Sequence, residues 1–549
     1  MKLPTVFRYL LSGVSVSISA GTDEICNEAK IRMKRKGLDT RSLHFRLYKR
    51  SVDARRRDDI RFVCTVLIES ESPIPQALAE RAGLRLLNEE QPGRERGTEP
   101  MGAPPLVVGM GPAGLFAALL LAENGYRPIL IDRGDSVEER VRATERFRRQ
   151  GILDTESNIQ FGAGGAGTFS DGKLVTRIHD PYCGYVLRQL HRFGAPDEIL
   201  TLAKPHIGTD VLRGVISRIL SRIEALGGRV IYRCRMNTFT ECADGSITVS
   251  TTGGLLCCGA LLLAPGHSAR DTYRMLLEKQ FVMEPKPMSV GVRAEHLQSE
   301  IDRALYGDFA GYPNLGHAEY ALSDTKGTRG VYTFCMCPGG EVVAAASEEG
   351  GLVVNGMSNH ARNGKNANAA VVASLSCADY ETVDGSRILG AITLQRRIER
   401  AAFMAGGSDY AAPVMTLGDF LVGKHGTEPG RVQPSYRAGT VRVSDFSAVF
   451  PAAISESLRY AFTSFGKQID GYDAPDTVLT AAETRTSAPL RILRNAETMT
   501  AIGHDRIYPC GEGAGYAGGI TSAAVDGLRV AEAMMKRFGG PDENSCDGD

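Results

Sequence analysis

The chain has no tryptophan, an absence that by itself excludes no function, and no net charge, since 64 Lys+Arg offset 64 Asp+Glu. That balance excludes a polycation that coats nucleic acid along its whole length. The 12 cysteines include no CxxC pair and no Cys/His spacing of the zinc type, so no metal site and no secreted disulfide scaffold is expected. Scattered thiols of this kind read as reduced, which points to the cytoplasm, or to a plastid stroma in a eukaryote. Low-complexity tracts and internal repeats are also missing. With 43% apolar and 23% charged residues, a disordered chain is excluded. A chain of 549 residues has room for about two to four domains.

One long uncharged run exists, the 22 residues 101–122. It is long enough to cross a bilayer, but Pro104, Pro105, Pro112 and three spaced glycines cut it, so no membrane span is expected. Lys2 and Arg8 ahead of YLLSGVSVSISA faintly resemble a signal peptide. There Val14, Val16 and Ile18 alternate with serines, the period of a strand.

What the chain has in excess is glycine: 62 residues, about 11% against a usual level of roughly 7%. In an ordered chain such a surplus belongs in turns and ligand loops, where a side chain would be in the way. Residues 1–90 read as a basic β-α-β-β-α module of ferredoxin-like order. Between Glu28 and Arg61 it holds 13 basic and 5 acidic residues. A polar linker, 91–104, follows. Residues 105–275 carry strand, glycine-loop and helix signals, including a helix over 209–226 and strands near 229–233, 246–251 and 259–263. Residues 276–477, with short strands, frequent Pro and Gly and few long helices, read as an inserted α+β substrate domain. The chain then returns over 478–540 to a glycine loop and a last helix, 520–537, before a frayed tail, 541–549.

The strongest signal is LVVGMGPAGLFAALLLAENGYRPILIDRG. A buried strand, Leu106–Val108, runs into Gly109-x-Gly111-x-x-Gly114 and a helix, and a second strand, 129–131, ends at Asp132. Gly109 makes the tight turn, Gly111 lets backbone approach a pyrophosphate, and Gly114 lets helix pack on strand. The helix N-terminus, flanked by Pro112 and Ala113, offers free N–H groups and partial positive charge to phosphates. Asp132, next to Arg133, is placed to accept the ribose hydroxyls. This is an adenine-dinucleotide fingerprint. Two further glycine clusters favour FAD over NAD alone: FGAGGAGTFSDGKL, with Gly164, Gly165, Ala166, Gly167 and Thr168, and YPCGEGAGYAGGI, with Gly511, Glu512, Gly518, Gly519 and Ile520. Helix polarity after the second cluster suits a reduced flavin ring. No second GxGxxG is found, which leaves NAD(P)H a candidate co-substrate only.

These clusters, with KPHIGTD (204–210), FCMCPGGEVVAAASEEGG (334–351), VNGMSNHARNGKNANAA (354–370) and ETRTSAP (483–489), resemble one family in order along nearly the whole chain. It is that of the FAD-dependent, or NAD(FAD)-utilising, dehydrogenases of bacteria and plastids, similar in turn to glutathione-reductase-like flavoproteins. The resemblance implies a Rossmann-type FAD domain interrupted by a substrate domain. Ala163 departs from it, since the family usually has Glu there.

The expected function is therefore an FAD-dependent oxidoreductase that moves hydride or electrons through flavin N5 to or from a small-molecule substrate. Lys173, His267 and Cys510 are weak catalytic candidates. Cys335 and Cys337, two apart, share a strand face, but an extended CxC spans poorly as a disulfide. The alternative reading is a flavoprotein that binds or modifies tRNA through the basic module, whose Lys/Arg could contact phosphates.

Overall fold

Alternation of apolar residues in the first ninety positions builds a four-stranded antiparallel sheet. In the computed structural model, which describes residues 6–540 apart from 89, 94 and 170, strand β1 (Phe7–Ser17) leads into helix α1 (Thr22–Arg35). Glu24 caps α1 by accepting the Gly21 N–H at 3.1 Å. Strands β2 (Leu43–Asp53) and β3 (Arg61–Ser70), helix α2 (Gln76–Ala82) and a short β4 (Leu84–Leu86) complete the module. Its strand order is β2-β3-β1-β4. The sequence pattern did not indicate β4, a three-residue edge strand. Much of the basic stretch is paired locally: Arg41, Arg55, Arg56 and Arg61 sit on Asp39, Asp53, Asp58 and Asp59. Arg57 reaches across to Asp470.

The expected linker is tied down at Gly97 and Glu99. The N–H groups of Gly97 and Glu99 donate to the carbonyls of Met535 and Arg537, and the Glu99 carboxylate pairs with Arg537 and Arg506. Next comes a parallel sheet. Strand β5 (Leu106–Val108), helix α3 (Pro112–Glu123), β6 (Ile129–Ile131), helices α4 (Val137–Gln150), α5 (Tyr182–Arg192) and α6 (Thr209–Ala225), and β7 (Arg229–Ile231) form its first half. An antiparallel meander, β8 (Met236–Glu241), β9 (Ile247–Thr251) and β10 (Gly254–Cys258), leads to β11 (Leu261–Leu263). The run 101–122 thus becomes a three-residue strand and a helix buried on all sides. Among the described residues no helix is long and apolar enough to cross a membrane.

Helix α7 (Arg270–Glu278), β12 (Met283–Pro285), β13 (Met288–Leu297), α8 (Gln298–Tyr306) and β14 (Ser323–Asp324) open the next region. It continues with β15 (Val331–Cys337), β16 (Glu341–Ala344), β17 (Val354–Met357), β18 (Asn366–Leu375) and α9 (Arg387–Ala405). Then follow β19 (Ala412–Thr416), α10 (Leu417–Val422), β20 (Val441–Val443), α11 (Ala452–Gly466), β21 (Val478–Glu483) and β22 (Leu490–Ile492). Seven of the strands make one sheet, ordered β14-β15-β18-β13-β21-β19-β20. Strand β21 starts just past the boundary expected at 477, yet pairs inside this sheet with β13 and β19. The region also holds the longest helix among the described residues, the 19-residue α9, where few long helices were expected. Its buried stripe is built on Ala and Gly as well as Ile and Leu, which blunts its periodic signal.

Finally β23 (Ile507–Pro509) lies beside β11, and α12 (Ile520–Arg537) packs on α3. The parallel sheet then reads β23-β11-β5-β6-β7. One apolar cluster runs from the N-terminal sheet into the seven-stranded sheet, and a second joins α3, α6 and α12. The expected tail, 541–549, lies outside the described residues.

Candidate functional site

All three glycine loops converge at the carboxyl ends of the parallel strands, as ligand loops of such sheets do. Gly109 leaves β5 with φ +103°, and a Cβ there would lie 2.1 Å from the Ala264 carbonyl oxygen; only glycine fits. Gly111 is different. It begins α3 with φ −70°, and the nearest atom to its virtual Cβ is Gly165 Cα at 3.9 Å. No side chain caps α3, so its N-terminal dipole faces the cleft open to an anion. Gly114 lets α3 sit against β5, its virtual Cβ 1.9 Å from the Gly109 carbonyl oxygen. Asp132 is buried at the end of β6 and takes the N–H groups of Met110 and Gly134, each at 2.8 Å. Arg133 stacks 4.4 Å over Phe161 and pairs with Asp271 at 2.6 Å.

The second loop is held by a residue that sequence reasoning passed over. Arg140 on α4 is completely buried. Its guanidinium donates to the carbonyls of Asn158, Ile159, Gly162 and Ala163. Burial pulls its pKa down to about 9, still charged at neutral pH. Gly164 donates its N–H to the Met110 carbonyl at 2.9 Å, tying this loop to the first. Ala163 faces the apolar cluster of α3 and α6. A Glu side chain there would enter a buried apolar site, so the departure at this position leaves the cleft wall unchanged.

In the third loop, the Gly511 N–H donates to Asp526 at 2.7 Å, and Asp526 is fixed by Arg494. Burial pushes the Glu512 carboxyl up to about 7, with Lys286 opposing. The Cys510 thiol is raised well above its ordinary value by burial and then by Asp526, so it stays protonated.

These loops enclose a cleft of about 330 Å³. From the expected set it is lined by Gly109, Gly111, Pro112 and Ala113, by Asp132 and Arg133, by Gly165, Ala166 and Gly167, and by Glu512, Gly518, Gly519 and Ile520. Lys173, His267 and Cys510 line it too. Gly114, Gly164, Thr168 and Gly511 stand behind the wall. Thr168, fully buried, takes a hydrogen bond from Thr209 on its carbonyl oxygen at 2.6 Å. Lys173 is no free cation, because its ammonium donates to the Met336 carbonyl and lies 3.8 Å from Asp171. His267 contacts Ser268 Oγ at 3.0 Å through Nδ1. Burial, then Arg485 and Arg270, lowers its pKa to about 4, so it is neutral at pH 7.

Another part of the wall comes from the seven-stranded sheet and its surroundings: Phe334 and Cys335 on β15, Asn355 on β17, Arg485 and Thr486 after β21. Arg485 is anchored by Glu399 of α9, which also binds Arg270 at 2.7 Å. Against the cost of burial, the two guanidinium groups hold the Glu399 carboxyl far below its usual range. This wall joins residues about 220 (Phe334 from Gly114) to 377 (Thr486 from Gly109) positions away from the fingerprint, a proximity no local pattern carries. The fragments ETRTSAP and FCMC marked two of its segments without showing that they face the glycine loops.

An open cradle at Gly111, an uncapped helix N-terminus and a buried acid at the end of β6 fit the ADP half of FAD. Residues 103–149 match the family described as "FAD binding domain", and residues 287–486 match "FAD-dependent protein, C-terminal domain-like". A protein from Clostridium beijerinckii (strain ATCC 51743 / NCIMB 8052) is 45% identical over 497 residues, 90% of this chain and 92% of its own. Among solved structures, the halogenase PltM aligns over 80% of this chain and 71% of its own at 10% identity and TM-score 0.36. The amino acid oxidase NikD aligns over 81% and 96% at 12% identity and TM-score 0.32. Those two similarities are too distant to bear on chemistry. The match across nine-tenths of the chain shows the family: this protein belongs to the same family as the Clostridium beijerinckii protein, and its two matched regions are those of FAD-dependent proteins, with FAD as the cofactor.

Proposed function

We propose that the protein is an FAD-dependent oxidoreductase of the dehydrogenase type, acting on a small-molecule substrate held between the glycine loops and the seven-stranded sheet. One observation carries this reading: the three loops and the far wall from β15, β17 and the segment after β21 line a single cleft. In it the N-terminus of α3 would hold the pyrophosphate, Asp132 the adenosine ribose, and Ala166, Gly167 and Gly518–Ile520 would border the flavin ring. Bound FAD supplies a two-electron centre that takes or gives hydride at flavin N5.

The protein's own groups prepare that chemistry. The N-terminus of α12, at Gly519 and Ile520 on the cleft wall, would set partial positive charge against the negative charge of a reduced flavin. Glu512, with its carboxyl near 7, holds a proton at Oε on the cleft wall and releases it within the physiological range. His267 is held neutral and can donate or accept at an imidazole nitrogen without bringing a charge. Phe334 and Thr486 close the side opposite the glycine loops, restricting water at the reacting face.

The five-stranded parallel sheet with its antiparallel meander supports a Rossmann-type FAD domain of glutathione-reductase-like plan, interrupted by a substrate domain. The order β2-β3-β1-β4 supports a ferredoxin-like N-terminal module. The test is anaerobic. Purified protein should be yellow, release FAD on denaturation, and bleach with NADH or NADPH, then recover its colour with an added acceptor. Bound flavin that no hydride donor bleaches would refute the dehydrogenase reading.

A further inference from the structure

Strand β15 ends in Phe334-Cys335-Met336-Cys337, and the two cysteines have no part in the function proposed above. In a regular strand, residues two apart are separated by about 6.6 Å at Cα, the far limit for a disulfide. Here the strand is not regular. Its register against β18 slips between Phe334 and Cys337, and Cys335 takes the left-handed φ of +44°. The bulge folds the two side chains together, with Sγ–Sγ at 4.0 Å. Cys335 lines the cleft, while Cys337 is fully buried behind it. Bulges of this kind re-aim side chains beside active sites.

The surroundings favour a thiolate at the outer position. Arg293 on β13, completely buried, donates to the Cys335 carbonyl at 2.8 Å and to Asn355 on the cleft wall at 2.9 Å. It is ion-paired with Glu483 at 2.9 Å. Lys173 crosses from the second glycine loop to the carbonyl of Met336, between the two thiols. The hydrogen bond shared with Cys337 lowers the Cys335 pKa against burial, with Arg293 and Lys173 adding to the effect, and raises that of Cys337.

We propose that Cys335 and Cys337 are a redox pair that exchanges two electrons with the FAD of this cleft; the proposal rests on the flavin reading above. In the forward direction the Cys335 thiolate and the Cys337 thiol form an S–S bond. The S–H bond of Cys337 breaks, and two electrons and that one proton pass to oxidised flavin, leaving it as the singly protonated reduced anion. The reverse step restores the thiolate and thiol from reduced flavin. The exposed partner, Cys335, is the one that meets the flavin; Cys337 resolves it.

The test uses the full-length FAD-loaded protein. Anaerobic dithionite titration of the oxidised wild type should consume an electron pair beyond the one the flavin needs. Cys335→Ser and Cys337→Ser should each lose that extra pair. Alkylation followed by mass spectrometry should find the peptide carrying both cysteines two hydrogens lighter and unmodified after oxidation, and doubly alkylated after reduction. A long-wavelength thiolate–flavin absorbance should survive in Cys337→Ser and vanish in Cys335→Ser. Wild-type flavoprotein that takes up only the flavin's electron pair, with both thiols still open to alkylation after oxidation, would overturn the pair and leave the flavin reading standing. Folded protein that neither holds nor takes up FAD would overturn both.

Discussion

Replacing Gly111 by alanine separates cofactor binding from folding. The backbone there, φ −70°, is one that alanine adopts without strain, and the added methyl meets no protein atom closer than 3.9 Å. Stability without FAD should therefore change by no more than about 0.5 kcal/mol, as for an unstrained substitution away from the core. The methyl instead occupies the space into which a pyrophosphate must come to reach the N–H groups of α3. Losing two charge-assisted hydrogen bonds of about 1.5–3 kcal/mol each weakens binding by about 3–6 kcal/mol, roughly 10²- to 10⁴-fold in Kd. Gly109→Ala is the contrast: positive φ and a 2.1 Å approach to Ala264 predict damage to the loop itself and a lower apo midpoint. The assay is FAD titration by flavin fluorescence quenching, paired with urea unfolding of the FAD-free proteins. Unchanged FAD affinity in Gly111→Ala, with unchanged stability, would refute the placement of the pyrophosphate.

Three further outcomes are expected. Arg140→Met takes the guanidinium from four buried carbonyls, of which those of Gly162 and Ala163 keep the Gly165 N–H and Thr168 hydroxyl while those of Asn158 and Ile159 lose their donor, so the apo protein should lose about 3 kcal/mol or more and retain little FAD; an unchanged urea midpoint would contradict the clamp. His296, buried with Nε2 on the Tyr472 carbonyl, has its pKa lowered by burial to about 4. The unfolded chain then binds more protons between pH 6.5 and 4, so stability falls as pH drops through that window, by about 3 kcal/mol at most. In His296→Gln this portion of the pH slope should flatten, as followed by urea midpoints across the range. Glu512→Gln should remove an ionisation near pH 7 from the pH profile of flavin bleaching; wild-type bleaching, if Glu512 supplies the proton, declines as pH rises through 7, and identical profiles would exclude it.

The parts of the site legible in the sequence are those where the absence of a side chain is itself the function. Gly109, Gly111 and Gly114 have fixed spacing because one turn, one ligand approach and one helix contact need them. Asp132 follows from the length of the helix and strand between. The buried strand before the fingerprint and the helix from Ile520 were equally plain, each carrying an uninterrupted local pattern. Other features depend on remote partners. Arg140 has the composition of an exposed helix and is buried because a loop of carbonyls folds over it. Strand β8 exposes pairs of polar residues and β10 leaves Leu255 and Cys257 exposed, so neither shows a clean alternation. Phe334, Asn355 and Arg485 reach the cleft only once the seven-stranded sheet docks against the parallel one. The bulge at Cys335 is a backbone event without a composition signal, and it turns a pair that an ideal strand would hold apart into two touching sulfurs.

The central claim is tested most directly by a crystal structure of the protein grown with FAD. The account predicts one FAD in this cleft, with its pyrophosphate on the N-terminus of α3, its adenosine ribose at Asp132, and its isoalloxazine between Ala166–Gly167 and Ile520, facing Cys335. FAD bound elsewhere, or in this cleft with the adenosine and flavin ends exchanged, would contradict it.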